Sequence, residues 1–363
     1  MLRQLTPGQL KQLQHEARAA SYLKYVAWTT LVYHTGDEVK PIAKKLPFLF
    51  RPVFLRHLYA WIYMLNNYKK YDYIICRHIA FDPFSYFFSR YIPNRIPVHH
   101  GIETQGLLSS RPGILGRLAA VLEKYSVRVS LRHAVGIMGV TDEICTYHLE
   151  NNAPNKKMPI IIYPNGICLE SIQTIDDERN DIAHNIVFIC GKFSKWHGLD
   201  LLLSDMLNDS EVLTHPGTLH LIGELLPDTQ ILMASINDQK KMFKVKYHGR
   251  LPYEAYSRIL ATCDVGLSSF ALHRQGITKA TTLKVREMLA AGLPVYSGHP
   301  DSAIPESFPY YRIGKPCMRK IMAFSSQMRN IPRQEVRRAS EKYIDKIAIL
   351  EKTIQEVVKI NDL

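Results

Sequence analysis

What constrains this chain most is a succession of short apolar runs separated by helical stretches. Strand-type runs occur at Val26–His34, Tyr71–Arg77, Ile96–His100, Ala134–Thr141 and Met158–Tyr163. They recur at Asn185–Cys190, Thr218–Gly223, Val245–Gly249, Cys263–Phe270, Leu293–Ser297 and Tyr310–Ile313. Most are apolar at successive positions rather than alternating, which suits parallel strands covered on both faces. Helical stretches such as Gly8–Tyr25, Tyr253–Thr262 and Lys284–Ala291 lie between them. This βα alternation over 363 residues fills two cores more comfortably than one, so two doubly wound, Rossmann-like sheets are expected. A polar stretch, Ser171–Asn185, follows Pro164–Gly166 and sets the boundary there. The expected domains are 1–165 and 166–340. A last helix spans Gln334–Val358, and its end, about 341–363, can pack back on the first domain.

Charge separates the two halves. Residues 1–165 carry 21 Lys/Arg and 10 Asp/Glu, a net of +11 out of +13 for the chain. A basic half suits nucleic acid, an anionic membrane surface or a phosphorylated substrate, or is simply a solvated face. No RNA-recognition, KH, zinc-finger or basic-zipper pattern accompanies it, which sets nucleic acid aside as a partner. No run is long and apolar enough to span a bilayer, and the first residues lack the pattern of a signal peptide. The six cysteines stand singly, with no C-x-x-C pair, as free cytosolic thiols do, and no structural metal is expected. The segment Leu46–Leu65 mixes aromatic, aliphatic and Arg side chains, with Lys44, Lys45, Lys69 and Lys70 flanking it. It reads either as a helix in the lipid interface or as a core helix packed on the sheet.

Three segments of the second half carry chemistry. In the first, a strand ends at Gly191, a basic loop with Lys192, Lys195 and His197 follows, and a helix starts near Gly198. Such a turn presents backbone N–H groups and a helix N-terminus to an anion. The second is a small-residue loop, Gly276–Thr282, that leads into a helix carrying Glu287 and stopping at Gly292-Leu-Pro294. Its amides, with Thr281 and Thr282, can hold a diphosphate, and its carboxylate can accept two ribose hydroxyls, unless Glu287 is only a surface charge. The third is Val245–Glu254 followed by Ile259–Ser269, a strand, a turn at Gly249-Arg-Leu-Pro252, a helix and a strand led by Asp264.

Taken in order, Trp196-His-Gly198, His220-Leu-Ile-Gly223, His248-Gly-Arg-Leu-Pro252, Cys263-Asp-Val-Gly-Leu267 and Leu283-Lys-Val-Arg-Glu-Met-Leu-Ala-Ala-Gly-Leu-Pro-Val295 resemble glycosyltransferase family 4. The likeness covers about 130–315 and is narrowest to bacterial enzymes that build capsule, O-antigen or other lipopolysaccharide, and exopolysaccharide. It implies the GT-B fold, two Rossmann-like domains facing across a cleft. It also implies retaining, hexosyl-type transfer from a nucleotide-diphosphate sugar to a cell-surface glycan or lipid-linked acceptor, with no metal and no cofactor. The place of work would be the cytoplasm, peripheral on the inner face of the membrane. By the same resemblance Lys192 and His197 stand where a basic pair meets the diphosphate, with Gly191 and Lys195 in the same turn. Thr281, Thr282 and Leu283 would donate backbone N–H groups, and Glu287 would hold the ribose. The developing charge of a leaving diphosphate can be stabilised in this way by fixed cations and a helix N-terminus.

Two features depart from the family. The first of its two glutamates, eight positions apart, falls on Lys279, which implies altered donor choice or loss of activity. A GT-B-shaped binding partner without turnover is therefore the alternative reading. The family's opening strand is also expected to be absent or replaced, with helix Gly8–Tyr25 in its place. On the acceptor side, Val98-His99-His100-Gly101-Ile102-Glu103 resembles the family's histidine loop. His100 is expected nearest the reacting centre, with His99 and Glu103 beside it, against the plainer reading of a structural histidine at a strand end.

Overall fold

The computed structural model describes residues 7–32, 43–50, 52–80, 82–111, 113–152, 157–179, 182–209, 211–239 and 241–362. It falls into two compact units, Met1–Cys168 with Lys346–Leu363, and Leu169–Asp345.

The N-terminal unit runs α1 (Pro7–Tyr22), β1 (Thr30–Val32), β2 (Ala43–Lys45), α2 (Val53–Asn67), β3 (Ile74–Arg77), α3 (Phe84–Phe88), β4 (Arg95–His99), α4 (Glu103–Ser110), α5 (Ile114–Arg132), β5 (Ile137–Gly139), α6 (Asp142–Asn152) and β6 (Ile160–Ile162). Strands β3-β4-β5-β6 form a parallel sheet in that order. Successive residues of β5 point to opposite cores, as the period of a strand requires. Met138 packs with Ala19 of α1 and with Ile96 and Ile161. Ile137 packs with Val127 and Leu131 of α5 and Cys145 of α6. The sheet is thus covered on both faces, which is why its strands read as unbroken apolar runs.

The C-terminal unit runs β7 (His184–Lys192), α7 (Leu199–Asn208), β8 (Gly217–Glu224), α8 (Pro227–Asp238), β9 (Phe243–Tyr247), α9 (Tyr253–Thr262), β10 (Val265–Leu267), α10 (Leu283–Ala290), β11 (Val295–Ser297), β12 (Tyr311–Ile313), α11 (Met318–Met328) and α12 (Arg333–Ile344). Its six parallel strands are ordered β12-β11-β10-β7-β8-β9. The chain winds outward from β7 to β9, then returns to the other side of β7 with β10. The order therefore reverses between β7 and β10, and the carboxyl ends of that pair are the place where open α/β sheets bind ligands. The last helix, α13 (Lys346–Val358), rejoins the N-terminal unit, where Ile349, Leu350 and Val357 are buried in the α1–sheet core.

The expected α/β class with two parallel sheets is what the structure has. Two details differ, and a third bears on a reading left open. Of the expected strand Val26–His34, only Thr30–Val32 is extended, pairing with β2 outside the main sheet, and residues 33 and 34 lie outside those described. The helix read over Gln334–Val358 breaks at Asp345, whose backbone is extended. There the Lys346 N–H leaves the helical ladder and donates to the Ile167 carbonyl at 2.8 Å. Finally, α2 is packed. Trp61 is buried and its indole N–H donates to Asp82 at 2.7 Å, with the Arg95 guanidinium 5.4 Å over its ring. Arg51 of that segment lies outside the described residues.

Candidate functional site

In the C-terminal unit the loops leaving β7 and β10 are joined. The N–H groups of Phe270 and Ala271 donate to the carbonyls of His197 and Trp196, at 2.9 and 3.2 Å. Arg274 holds Asp200 through two hydrogen bonds of 2.9 and 2.8 Å and the Lys195 carbonyl at 2.6 Å. Gly198 adopts φ 72°, and a Cβ there would sit 2.9 Å from that of Phe270. The glycine of Trp-His-Gly is thus required both by its left-handed backbone and by this close approach.

His197 is buried and stacks on Trp196 with ring centroids 3.6 Å apart. Its Nδ1 accepts the Ser194 N–H at 2.8 Å, so the neutral ring carries its proton on Nε2. Burial first, and then nearby Lys284, depress its pKa to about 3. His197 is therefore a neutral donor, whereas the sequence reading counted it with Lys192 and Lys195 as positive charge. Lys192, at the end of β7, pairs with Glu224 at 3.1 Å, and Arg250 binds the same carboxylate at 2.5 Å. Lys192 and Arg250 are exposed and Glu224 is half-buried, at the carboxyl edge of β7–β9. Gly191 leaves open space where a Cβ would stand.

Residues Gly276–Thr282 precede α10. Thr281 is buried, and the Thr282 hydroxyl, at the N-cap position, is buried and lacks a hydrogen-bond partner. Leu283 opens the helix. Lys284 turns inward, its Nζ 2.8 Å from Cys190 Sγ. It places a half-buried cation between β7 and α10 that sequence reasoning left unassigned. Its only signal was its position beside the free amides of a helix start. Glu287 is half-buried and accepts a hydrogen bond from the Tyr256 phenol of α9, whose pKa burial and this carboxylate push up. Arg286 and Asp301 form a fully buried bidentate pair beneath α10. Lys279 is half-buried in the same loop. The structure therefore groups Lys192, Lys195 and His197 at the end of β7 and in the loop after it, and Lys279, Thr281 and Thr282 in the loop before α10 with Leu283 and Glu287 on that helix. Lys284 reaches across to β7.

In the N-terminal unit the carboxyl ends of β3 and β4 carry a cluster of imidazoles and carboxylates. His78 stacks on His99 with centroids 4.5 Å apart, and His148 lies tilted against His99 at 4.0 Å. His78 bonds Glu123 at 2.7 Å, both buried. His99 Nδ1 lies 3.2 Å and His148 Nε2 3.0 Å from the Glu103 carboxylate. Burial outweighs Glu103 and lowers His99 to about 3. Burial also raises Glu103, but His99 and its hydrogen bonds prevail and hold it well below the usual range. His99 Nε2 is buried without a partner. Atoms of His78, His99 and Glu103 lie within 4.8 Å of one another, close enough for a metal. The first two rings are nearly parallel, however, so their in-plane lone pairs run side by side rather than converge. His100 is half-buried, and burial and Arg77 lower its pKa to about 3. Among the described residues none hydrogen-bonds its ring.

No protein-family model matches the chain, and no curated protein matches it in sequence. Solved structures do match in fold. HepE of Anabaena, determined with UDP and glucose, has a TM-score of 0.60 at 14% identity over 98% of each chain. Sucrose-phosphate synthase of Thermosynechococcus elongatus has 0.58 at 14% identity, over 96% of this chain and 92% of that one. An alpha-glucosyltransferase determined with UDP-glucose and DNA containing an abasic site has 0.59 at 9% identity, over 96% of each. These are GT-B glycosyltransferases, and the chain has the GT-B fold.

Proposed function

We propose that the chain is a glycosyltransferase moving a sugar, of hexosyl type, from a nucleotide-diphosphate donor to a cell-surface glycan or lipid-linked acceptor. Transfer would be retaining and would need neither metal nor cofactor. The observation that carries this reading is the switch point between β7 and β10, where the two loops are joined to each other and Lys284 of α10 reaches Cys190 of β7. Lys192, Lys195 and Lys284, the His197 Nε2–H, and the amides of Thr281, Thr282 and Leu283 would take the diphosphate. Fixed donors of this kind stabilise the charge that grows on a leaving group without reorganising. Glu287, steadied by Tyr256, would accept the ribose hydroxyls. His100, neutral and with no ring hydrogen bond among the described residues, would sit on the acceptor side with His99 and Glu103 behind it. The fold likeness to structures that hold UDP and glucose supports this choice of ligand.

Isothermal titration with nucleoside diphosphates tests it. Glu287→Ala should weaken binding by about 1–3 kcal/mol, the scale of a lost charge-assisted hydrogen bond. Unchanged affinity and turnover in that variant would overturn the assignment. A second reading, a partner protein of this shape that binds without turnover, is favoured by Lys279 at the place of an expected carboxylate. Sugar transfer from any donor decides between the two.

A further inference from the structure

Helix α5 inverts the usual arrangement of a surface helix. Its inward residues are mostly small or polar, among them Gly116, Ala119, Glu123, Ser126 and Ser130, all buried. Its outward face carries Ile114, Leu115, Leu118, Val121, Leu122 and Tyr125, exposed by 83, 72, 56, 53, 47 and 60%. The spacing 114, 118, 121, 122, 125 makes them one stripe. An ordinary surface helix turns such a stripe to the core and its charges to water. Here the charges run alongside the stripe. Arg117, Lys124 and Arg128 follow one edge and Arg132 closes the end, all four exposed. The only acid of the helix, Glu123, is fully buried against His78, so the exposed charge of α5 is entirely positive. Helix α3, packed against α5, exposes Tyr86 and Phe87 as well.

We infer that the outer face of α5 docks on an anionic lipid bilayer, lying in the plane of the headgroups. An apolar stripe enters the acyl boundary while adjacent Arg and Lys extend their stems toward anionic headgroups. The basic row selects lipid over a second copy of this chain, because two such faces brought together would oppose like charges. The excess of +11 in residues 1–165 adds long-range attraction of the same sign. This assignment does not rest on glycosyl transfer. It also differs from the sequence-level candidate Leu46–Leu65, whose Trp61 is used in the core.

Flotation of the full chain tests it. Vesicles of phosphatidylcholine alone are compared with vesicles containing about one-third phosphatidylglycerol, at low and high salt. The wild type should float with the anionic vesicles and be released by salt. Neutralising Arg117, Lys124 and Arg128 to Gln should lower the anionic partition coefficient by about a hundredfold, roughly fivefold per charge. Leu118→Glu with Leu122→Glu should abolish flotation. Circular dichroism should stay unchanged in both, since every altered side chain is exposed. Failure of the wild type to float, or flotation of the Leu118/Leu122 variant at wild-type level, would overturn the inference. So would equal binding to neutral and anionic vesicles, or a lipid-free dimer that the Leu118/Leu122 variant dissociates. Nucleotide titration on the same preparations reports separately on the C-terminal unit.

Discussion

His197 illustrates what single residues disclose and conceal. A histidine between a strand and a helix, near Lys192 and Lys195, reads as part of a basic loop. The structure shows a ring sealed by Trp196, its Nδ1 occupied by the Ser194 N–H, with a pKa of about 3. Desolvation, not sequence neighbours, decides its charge, and desolvation is set by packing that no local pattern records. The sign of the linkage follows. The folded pKa lies below the unfolded value of about 6.5, so the unfolded chain binds more protons between the two. Stability is full above pH 6.5 and falls as pH drops toward 3. At pH 5 this one group should remove about 2 kcal/mol. His197→Asn keeps an acceptor for Ser194 and loses the titration. Urea unfolding at pH 7 and 5 should show a loss about 2 kcal/mol smaller in the variant. The same loss in both proteins would refute the assignment. Lys284 was harder still to read, because a lysine in the first turn of a helix normally faces water. Only the closeness of β7 brings it to Cys190.

At the scale of elements the strands were the most legible. Covered on both faces, β7 is apolar from Ile186 to Cys190 and β10 has no polar side chain from Val265 to Leu267, and continuous apolar runs leave that mark in sequence. The break at Asp345 had no mark, since Tyr-Ile-Asp-Lys contains neither Gly nor Pro and the cause is a hydrogen bond to distant Ile167. The segment Leu46–Leu65 admitted two readings because aromatic and Arg side chains serve core and interface alike. Asp82 and Arg95, which engage Trp61, lie elsewhere in the chain. Helix α10 depends on a further contact of this type. Arg286 in its middle is held by buried Asp301, and the same carboxylate accepts the Ala303 N–H at 3.0 Å. Removing one partner leaves an uncompensated buried charge, which costs about 3–5 kcal/mol, whereas replacing both with apolar groups can be nearly neutral. Asp301→Ala should therefore destabilise the chain by that amount in urea. Adding Arg286→Met should recover most of it. If the single and double variants lose equally, the guanidinium is not what makes the loss.

For the whole molecule, the residue that leads the chain back into the N-terminal unit is Lys346. Its side chain is buried, 2.8 Å from Glu16 of α1, and lies 3.5 Å from the centre of the Tyr163 ring. The Tyr163 hydroxyl donates to the same Glu16, and the lysine also reaches the Pro164 carbonyl at 3.3 Å. One ammonium thus ties α1, the chain after β6 and α13 together, three pieces distant in sequence. A methionine would preserve the stem and its packing but leave Glu16 buried with the phenol as its remaining partner among the described residues. The cost should again be about 3–5 kcal/mol, the scale for breaking a buried pair. Because Glu16, Tyr163 and α13 all belong to the N-terminal unit, the loss should be local. Hydrogen exchange read by mass spectrometry resolves both units in one sample. In Lys346→Met, amides of β4, β5 and β6 should lose protection by that amount, and those of β7, β8 and β9 by less. Lys346→Met with Glu16→Gln removes the stranded charge and should restore part of the protection. Equal losses in both sheets would show instead that the chain opens as one cooperative body, and no loss in either would show that the Glu16 pair contributes nothing.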